Sequence, residues 1–185
     1  MSTLSARKDR IYLTGFMGSG KSTIGPILAN TIGYDFVDLD HMLEENEGKT
    51  VAEIFRDRGE QYFRQREREL IALLCLRHKT VISLGGGTLS DPESFHMIMA
   101  SGIVVYLKVS PERLFSRLNR RNDRPMLTDP QGGRLSEAAL QERIALLYQA
   151  REPFYARADI TVLTDEKRVG TTVDVIVRLL SDSLR

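Results

Sequence analysis

Residues 15–22, Gly-Phe-Met-Gly-Ser-Gly-Lys-Ser, match the pattern G-x-x-x-x-G-K-[ST] in full. Glycines at this spacing let successive backbone N–H groups converge on phosphate oxygens. A helix starting at the end of the loop would add the partial positive charge of its N-terminus. Lys21 has the length to reach β- and γ-phosphates, and the Ser22 hydroxyl suits Mg²⁺. Gly18, Ser19, Gly20, Lys21, Ser22 and Thr23 are therefore the expected nucleotide contacts. Taken alone, the loop does not separate a small-molecule kinase from a GTPase, a motor ATPase or a regulator.

A second set of residues has the chemistry of an acceptor site. Asp38-Leu39-Asp40 closes an apolar run. If the run is a strand, residues two apart face the same way, so both carboxylates would point together at the strand's carboxyl end. Ligands bind at that end in open α/β folds. One carboxylate can serve Mg²⁺ through its waters, and the other can accept a proton from an acceptor hydroxyl. The alternative is a surface turn with two solvated acids. Arg64 and Glu67 lie three apart on an expected helix and can pair. A guanidinium held in that way suits a carboxylate ligand. The competing reading is a solvated basic face, because Arg56, Arg58, Arg66 and Arg68 crowd the same stretch. Gly85-Gly86-Gly87 follows another apolar run, and three glycines there admit a ligand close to the backbone. Arg151 precedes Pro153, which should distort or end its helix and aim Arg151 inward.

These residues need a scaffold. Short apolar runs at 11–13, 34–40, 80–84, 103–109 and 160–163 read as strands. Amphipathic stretches at about 22–32, 61–76, 91–100, 111–120, 136–156 and 170–182 read as helices, with about 42–60 forming two short ones. Such alternation implies a parallel sheet covered on both faces. Asp91-Pro92 and Ser110-Pro111 have the form of helix starts, Ser136 can cap the long helix, and Gly33 fits a helix end. The segment at about 119–135 is rich in Arg, Asn, Asp, Pro and Gly and reads as a lid. Arg117, Arg120, Arg121 and Arg124 lie in or beside it, and arginines there can neutralise charge that develops during phosphoryl transfer.

The 185 residues fit one domain, 1–185, with a flexible tail over 1–9. A net charge of +1 gives no sign of a nucleic-acid or membrane surface. Arg and Lys interrupt every apolar stretch, and the N-terminus lacks the apolar core of a signal peptide. The single cysteine, Cys75, excludes an internal disulfide and fits a reducing compartment, so the cytoplasm is the expected location. His41 reads as a surface residue, and His78 and His96 show no metal-ligand spacing.

Together these motifs closely resemble the shikimate kinase family over about 9–180. Five occur in the family's order: Gly-Phe-Met-Gly-Ser-Gly-Lys-Ser-Thr at 15–23, Asp-Leu-Asp at 38–40, Gly-Glu-Gln-Tyr-Phe-Arg-Gln-Arg-Glu at 59–67, Leu-Gly-Gly-Gly at 84–87 and Arg-Glu-Pro-Phe-Tyr at 151–155. The phosphate loop is widely shared. Phe-Arg-x-x-Glu followed about twenty residues later by a triple glycine is much more specific. The resemblance implies an α/β three-layer fold like that of nucleoside monophosphate kinases, with a five-stranded parallel sheet, a lid and a substrate-binding region at about 42–76. It implies transfer of the ATP γ-phosphate to the 3-hydroxyl of shikimate, with Mg²⁺ as cofactor; the expected form is a monomer with no nucleic-acid or membrane partner.

Residue by residue, the resemblance assigns Lys21, Asp40 and Arg124 to catalysis and Asp38 to Mg²⁺ through water, beside Ser22. Asp40, Arg64, Gly86 and Arg151 match the shikimate contacts. Arg124 matches the lid arginine on the phosphates, Arg117 corresponds to a residue near adenine, and Lys167 lies where the family has a further nucleotide contact. Departures are Met126 and Phe154, where leucine is common, and a lid stretch at 129–134 longer and richer in glycine than a minimal one. A related gluconate kinase would share the loop, but not the Phe-Arg-x-x-Glu and triple-glycine pair. A regulator that had lost catalysis would show damage at Lys21, Asp40 or the two arginines, and all are intact.

Overall fold

The computed structural model describes residues 9–118, 135–165 and 168–183. The expected lid with Arg120, Arg121 and Arg124, the position Lys167 and most of the N-terminal tail lie outside the described residues.

Five strands form one parallel sheet: β1 (Arg10–Thr14), β2 (Asp35–Asp38), β3 (Thr80–Ser83), β4 (Ile103–Lys108) and β5 (Ile160–Leu163). Their order across the sheet is β2-β3-β1-β4-β5. The helices are α1 (Lys21–Ile32), α2 (Leu39–Glu47), α3 (Val51–Leu74), α4 (Pro92–Ser101), α5 (Pro111–Leu118), α6 (Glu137–Tyr155) and α7 (Val169–Ser183), with a 3-10 turn at Thr88–Ser90. Alternate residues of each strand feed opposite faces. Tyr12, Ile82, Val104 and Tyr106 pack with Leu43, Phe63, Ile71, Ile98 and Ile144, from α2, α3, α4 and α6. Ile11, Leu13, Val81 and Val105 pack with Leu28 and Ile176, from α1 and α7. Burial on both faces explains why the central strands read as continuous apolar runs. Cys75 is free and half-buried, packed against the first of these cores. Among the described residues no helix is long and apolar enough to cross a membrane.

The parallel register brings the strands' carboxyl ends to one edge, with Asp38 and Leu13 both opposite Ser83 and Thr14 opposite Tyr106. Three of the segments expected to do chemistry leave from that edge. The phosphate loop follows β1, the Asp38–Asp40 pair follows β2, and the triple glycine follows β3.

Two expectations need correction. The second strand does not run to residue 40. Asp38 ends it because its carboxylate accepts the N–H groups of Asp40 (3.2 Å) and His41 (3.4 Å) and so caps α2. Asp38 and Asp40 therefore do not share a strand face. Asp40 stands in the first turn of α2, and the two carboxylates converge through a cap instead. The long segment after residue 50 is continuous as far as Leu74, broken only by a kink at Gly59 (φ 79°, ψ 172°). A positive φ there needs glycine, so the bend falls where the sequence permits it. Pro153 lies inside α6, which ends two residues later at Tyr155.

Candidate active site

The phosphate loop joins β1 to α1 through three glycines with positive φ: Gly15, Gly18 and Gly20. Gly15 is constrained twice, because a Cβ there would lie 2.7 Å from the Leu107 carbonyl oxygen. The N-terminus of α1 has no side-chain cap and no acid in its first turn. Other helices differ: α2 has Asp38 and Asp40, α3 a Thr50–Glu53 capping box, and α4 Asp91 and Glu93. The start of α1 is therefore open to an anion from outside the helix. The buried hydroxyls of Thr14 and Ser19 have no hydrogen-bond partner among the described residues. Unsatisfied buried polar atoms beside a phosphate loop fit a polar ligand.

Lys21 donates to the carbonyls of Gly15 (2.8 Å) and Phe16 (3.4 Å), so its ammonium lies over the loop. Ser22 Oγ donates to Asp38 Oδ2 at 3.4 Å. Beside the loop opens a cavity of about 620 Å³, walled by residues 18–24 on one side and by Arg117, Thr164 and Asp165 on the other. Arg117 bridges the two walls, donating to the Gly18 carbonyl (3.2 Å) and the Thr164 carbonyl (3.0 Å). The volume is in the range of small-molecule sites.

The second half of the site surrounds the triple glycine, and each glycine makes room for a different polar group. A Cβ on Gly85 would lie 2.7 Å from Asp40 Oδ1, and one on Gly86 3.1 Å from Arg151 Nη1. On Gly87 it would lie 2.6 Å from Arg64 Nη2. The glycines thus bring a carboxylate and two guanidiniums around one loop. The solvated-face reading of Arg64 fails, because its side chain is only 19% exposed and Nη1 lies 2.7 Å from Glu67 Oε2. Glu67 is 1% exposed and accepts a further hydrogen bond, 2.6 Å from Thr88 Oγ1. It fastens the arginine to the start of the 3-10 turn. Arg151, near the end of α6, stands beside the hydroxyl of Tyr155 at Gly86. Lys108 donates to Glu152 at 3.0 Å and ties that turn to the end of β4.

Asp40 stands between the halves. Burial pushes its carboxyl up from 3.8 to about 6, and the negative charge of Asp38 adds to the rise. Lys21 opposes the shift, while Glu67 and Glu44 add to it. A carboxylate poised near neutrality is suited to proton transfer. The shift also has a stability consequence. Between about pH 4 and pH 6 the folded state binds more protons here than the unfolded chain, so this group's contribution weakens as pH rises through that window.

A model of the family described as "Shikimate kinase" matches residues 17–181. The chain belongs to the shikimate kinase family. It is 49% identical to the shikimate kinase of Chlorobium chlorochromatii (strain CaD3) over 175 residues, 95% of this chain and 92% of that protein. The crystal structure of shikimate kinase from Bacteroides thetaiotaomicron superposes with a TM-score of 0.86 at 34% identity, covering 94% of this chain and 98% of that one. Shikimate kinase from Acinetobacter baumannii in complex with shikimate gives a TM-score of 0.84 at 31% identity, with both chains fully covered. The fold is that of the family, a phosphate-loop kinase fold of the nucleoside monophosphate kinase type.

Within this family member, Gly18, Ser19, Gly20, Lys21, Ser22, Thr23 and Arg117 line the loop-side cavity. Asp40, Arg64, Gly86 and Arg151 gather around residues 85–87. Arg124 lies outside the described residues. Thr88 and Tyr155 were not singled out from the sequence. Thr88 follows the triple glycine directly, and Tyr155 is one helical turn after Arg151; those spacings were the available signals. His41 is exposed beside Glu45, and among the described residues no cluster of three or more His, Cys, Asp or Glu side chains could hold a metal.

Proposed function

We propose that this chain transfers the γ-phosphoryl group of ATP to the 3-hydroxyl of shikimate, giving shikimate 3-phosphate and ADP on the route to chorismate and the aromatic amino acids. The observation that carries the reading is the placement of Arg64, Arg151 and Asp40 around residues 85–87, beside a complete phosphate loop. Two guanidiniums suit one carboxylate, and a single carboxylate between them and the loop suits a neighbouring hydroxyl.

The chemistry follows from positions. ATP phosphates lie on the loop and the uncapped start of α1. Lys21 leaves the carbonyls of Gly15 and Phe16 to meet the β- and γ-phosphates. Arg64 and Arg151 hold the shikimate carboxylate, Gly86 lets the ring approach the backbone, and Asp40 orients the acceptor hydroxyl and takes its proton. Ser22 Oγ and Asp38 Oδ2, 3.4 Å apart, are oxygen ligands of the type Mg²⁺ prefers and would hold the ion, Asp38 through a water. When bound, that ion draws negative charge from the transferring phosphoryl group. Arg117 flanks the nucleotide base; the phosphate contact that the resemblance implies for Arg124, in the expected lid at about 119–135, falls outside the described residues. The chain acts as one domain, with its substrate-binding region at about 42–76, as a monomer in the cytoplasm.

A coupled assay of ADP release tests this reading. Shikimate should stimulate release from ATP and Mg²⁺, and gluconate should not; turnover with gluconate alone would replace shikimate as the substrate. The titration of Asp40 supplies a second check. As the base it must be ionised, so kcat/KM for shikimate should fall as pH drops through about 6. Asp40→Asn should abolish that limb, and a profile flat from pH 5 to pH 8 would remove Asp40 from the proton transfer.

A further inference from the structure

Tyr155 is used by neither half of the mechanism, yet it sits at the joint of the acceptor site. It is 1% exposed, and its ring packs against Tyr106 with centroids 5.3 Å apart. Its hydroxyl donates to the Gly86 carbonyl, and a Cβ on Gly86 would meet both Arg151 Nη1 (3.1 Å) and this hydroxyl (3.6 Å), so the guanidinium and the phenol stand side by side there. The hydroxyl of α6 therefore meets a loop 69 residues earlier in the chain, beside two groups assigned to substrate. The chain has no cis peptide bond among the described residues. With the Gly86 carbonyl turned to Tyr155, the Gly87 N–H of the same planar peptide must point the opposite way. The hydroxyl thus sets both the direction of that N–H and the position of the Arg151 guanidinium.

We propose that Tyr155 is a positioning residue for the acceptor, whose hydroxyl locks Arg151 and the Gly86–Gly87 peptide into the geometry that receives a carboxylate-bearing polyol. The inference rests on the function proposed above and names a residue through which its substrate half is built. A bare phenyl ring would fill the same space among Tyr106 and its neighbours, so the packing and the hydrogen-bond roles can be separated.

Tyr155→Phe makes that separation. Removing the shared hydroxyl should raise KM for shikimate about tenfold, the loss of one to two hydrogen bonds. KM for ATP and kcat should stay within about twofold, since neither the loop nor Asp40 is touched. In an Arg151→Ala background the same change should add much less, because part of its effect acts through the missing guanidinium. Thermal unfolding of each variant reports on packing. An unchanged KM for shikimate overturns the proposal, as does a parallel rise in both KM values with a lowered Tm, which would make Tyr155 a packing residue. Full additivity with Arg151→Ala overturns the part of the proposal that runs through Arg151. Wild-type protein that turns over no shikimate would overturn the function reading and this inference together. An active wild type with an unaffected Tyr155→Phe overturns the inference alone.

Discussion

Asp40→Asn lowers kcat by about 10²–10⁴-fold and leaves ATP affinity within about twofold, the size of effect that losing a positioned general base has elsewhere. The substitution keeps the side chain's shape beside Gly85, where Oδ1 fits only because no Cβ is present. It removes the charge and turns one acceptor oxygen into an amide donor. That charge is costly in place, because burial and Asp38 both push the carboxyl towards its neutral form. Asp40→Asn should therefore be at least as stable as the wild type at pH 7, while nearly inactive. A gain in stability with a loss of activity is the mark of a group held under electrostatic strain for its chemistry. Single-turnover kinetics and nucleotide titration measure the two sides separately. A variant with near-wild-type kcat would show that the proton leaves by another path.

Arg64→Ala raises KM for shikimate by about 10²-fold, as expected from losing charge-assisted bonds to a carboxylate. KM for ATP changes little, because Arg64 reaches the triple glycine and not the phosphate loop. A stability cost accompanies it. Glu67 is 1% exposed, and its Oε2 loses the guanidinium that neutralises it. Stranding a buried carboxylate in this way costs about 3–5 kcal/mol. Arg64→Ala/Glu67→Gln separates the two effects. The second change removes the stranded charge and should restore much of Tm while KM for shikimate stays high. Equal rises in both KM values would make Arg64 a structural residue.

The parts of this protein that were legible in its sequence are those whose chemistry is local. The phosphate loop is contiguous, so its glycines, lysine and serine declare themselves by spacing, and the structure brings them to one cavity wall. The strands of the sheet are short and buried on both faces, so they stand out as apolar runs. The end of the second strand is ambiguous in the sequence for a local reason. Asp38 is a strand residue by neighbourhood and a helix cap by hydrogen bonding, and pattern alone does not weigh the two.

The acceptor half was legible from residue chemistry only as one of two readings, and the family resemblance decided between them. Arg64 on its own reads as one of several surface arginines, because what distinguishes it is a buried Glu67 and a glycine on the loop after β3. Thr88 and Tyr155 left still less trace. Each matters through a partner fixed by tertiary packing: Glu67 for Thr88, Gly86 for Tyr155. No spacing rule connects α6 to the loop after β3. The fold makes that connection by packing α6 on the same face as α3 and α4.

The central claim concerns one bond, from phosphorus to the 3-oxygen of shikimate. Phosphorus–proton correlation NMR of the mixture after reaction with ATP, Mg²⁺ and shikimate reads it directly. A single phosphomonoester signal coupled to the proton on carbon 3, formed in step with ADP, is the expected result. Inorganic phosphate alone, or a phosphoryl group on another oxygen, would contradict the account.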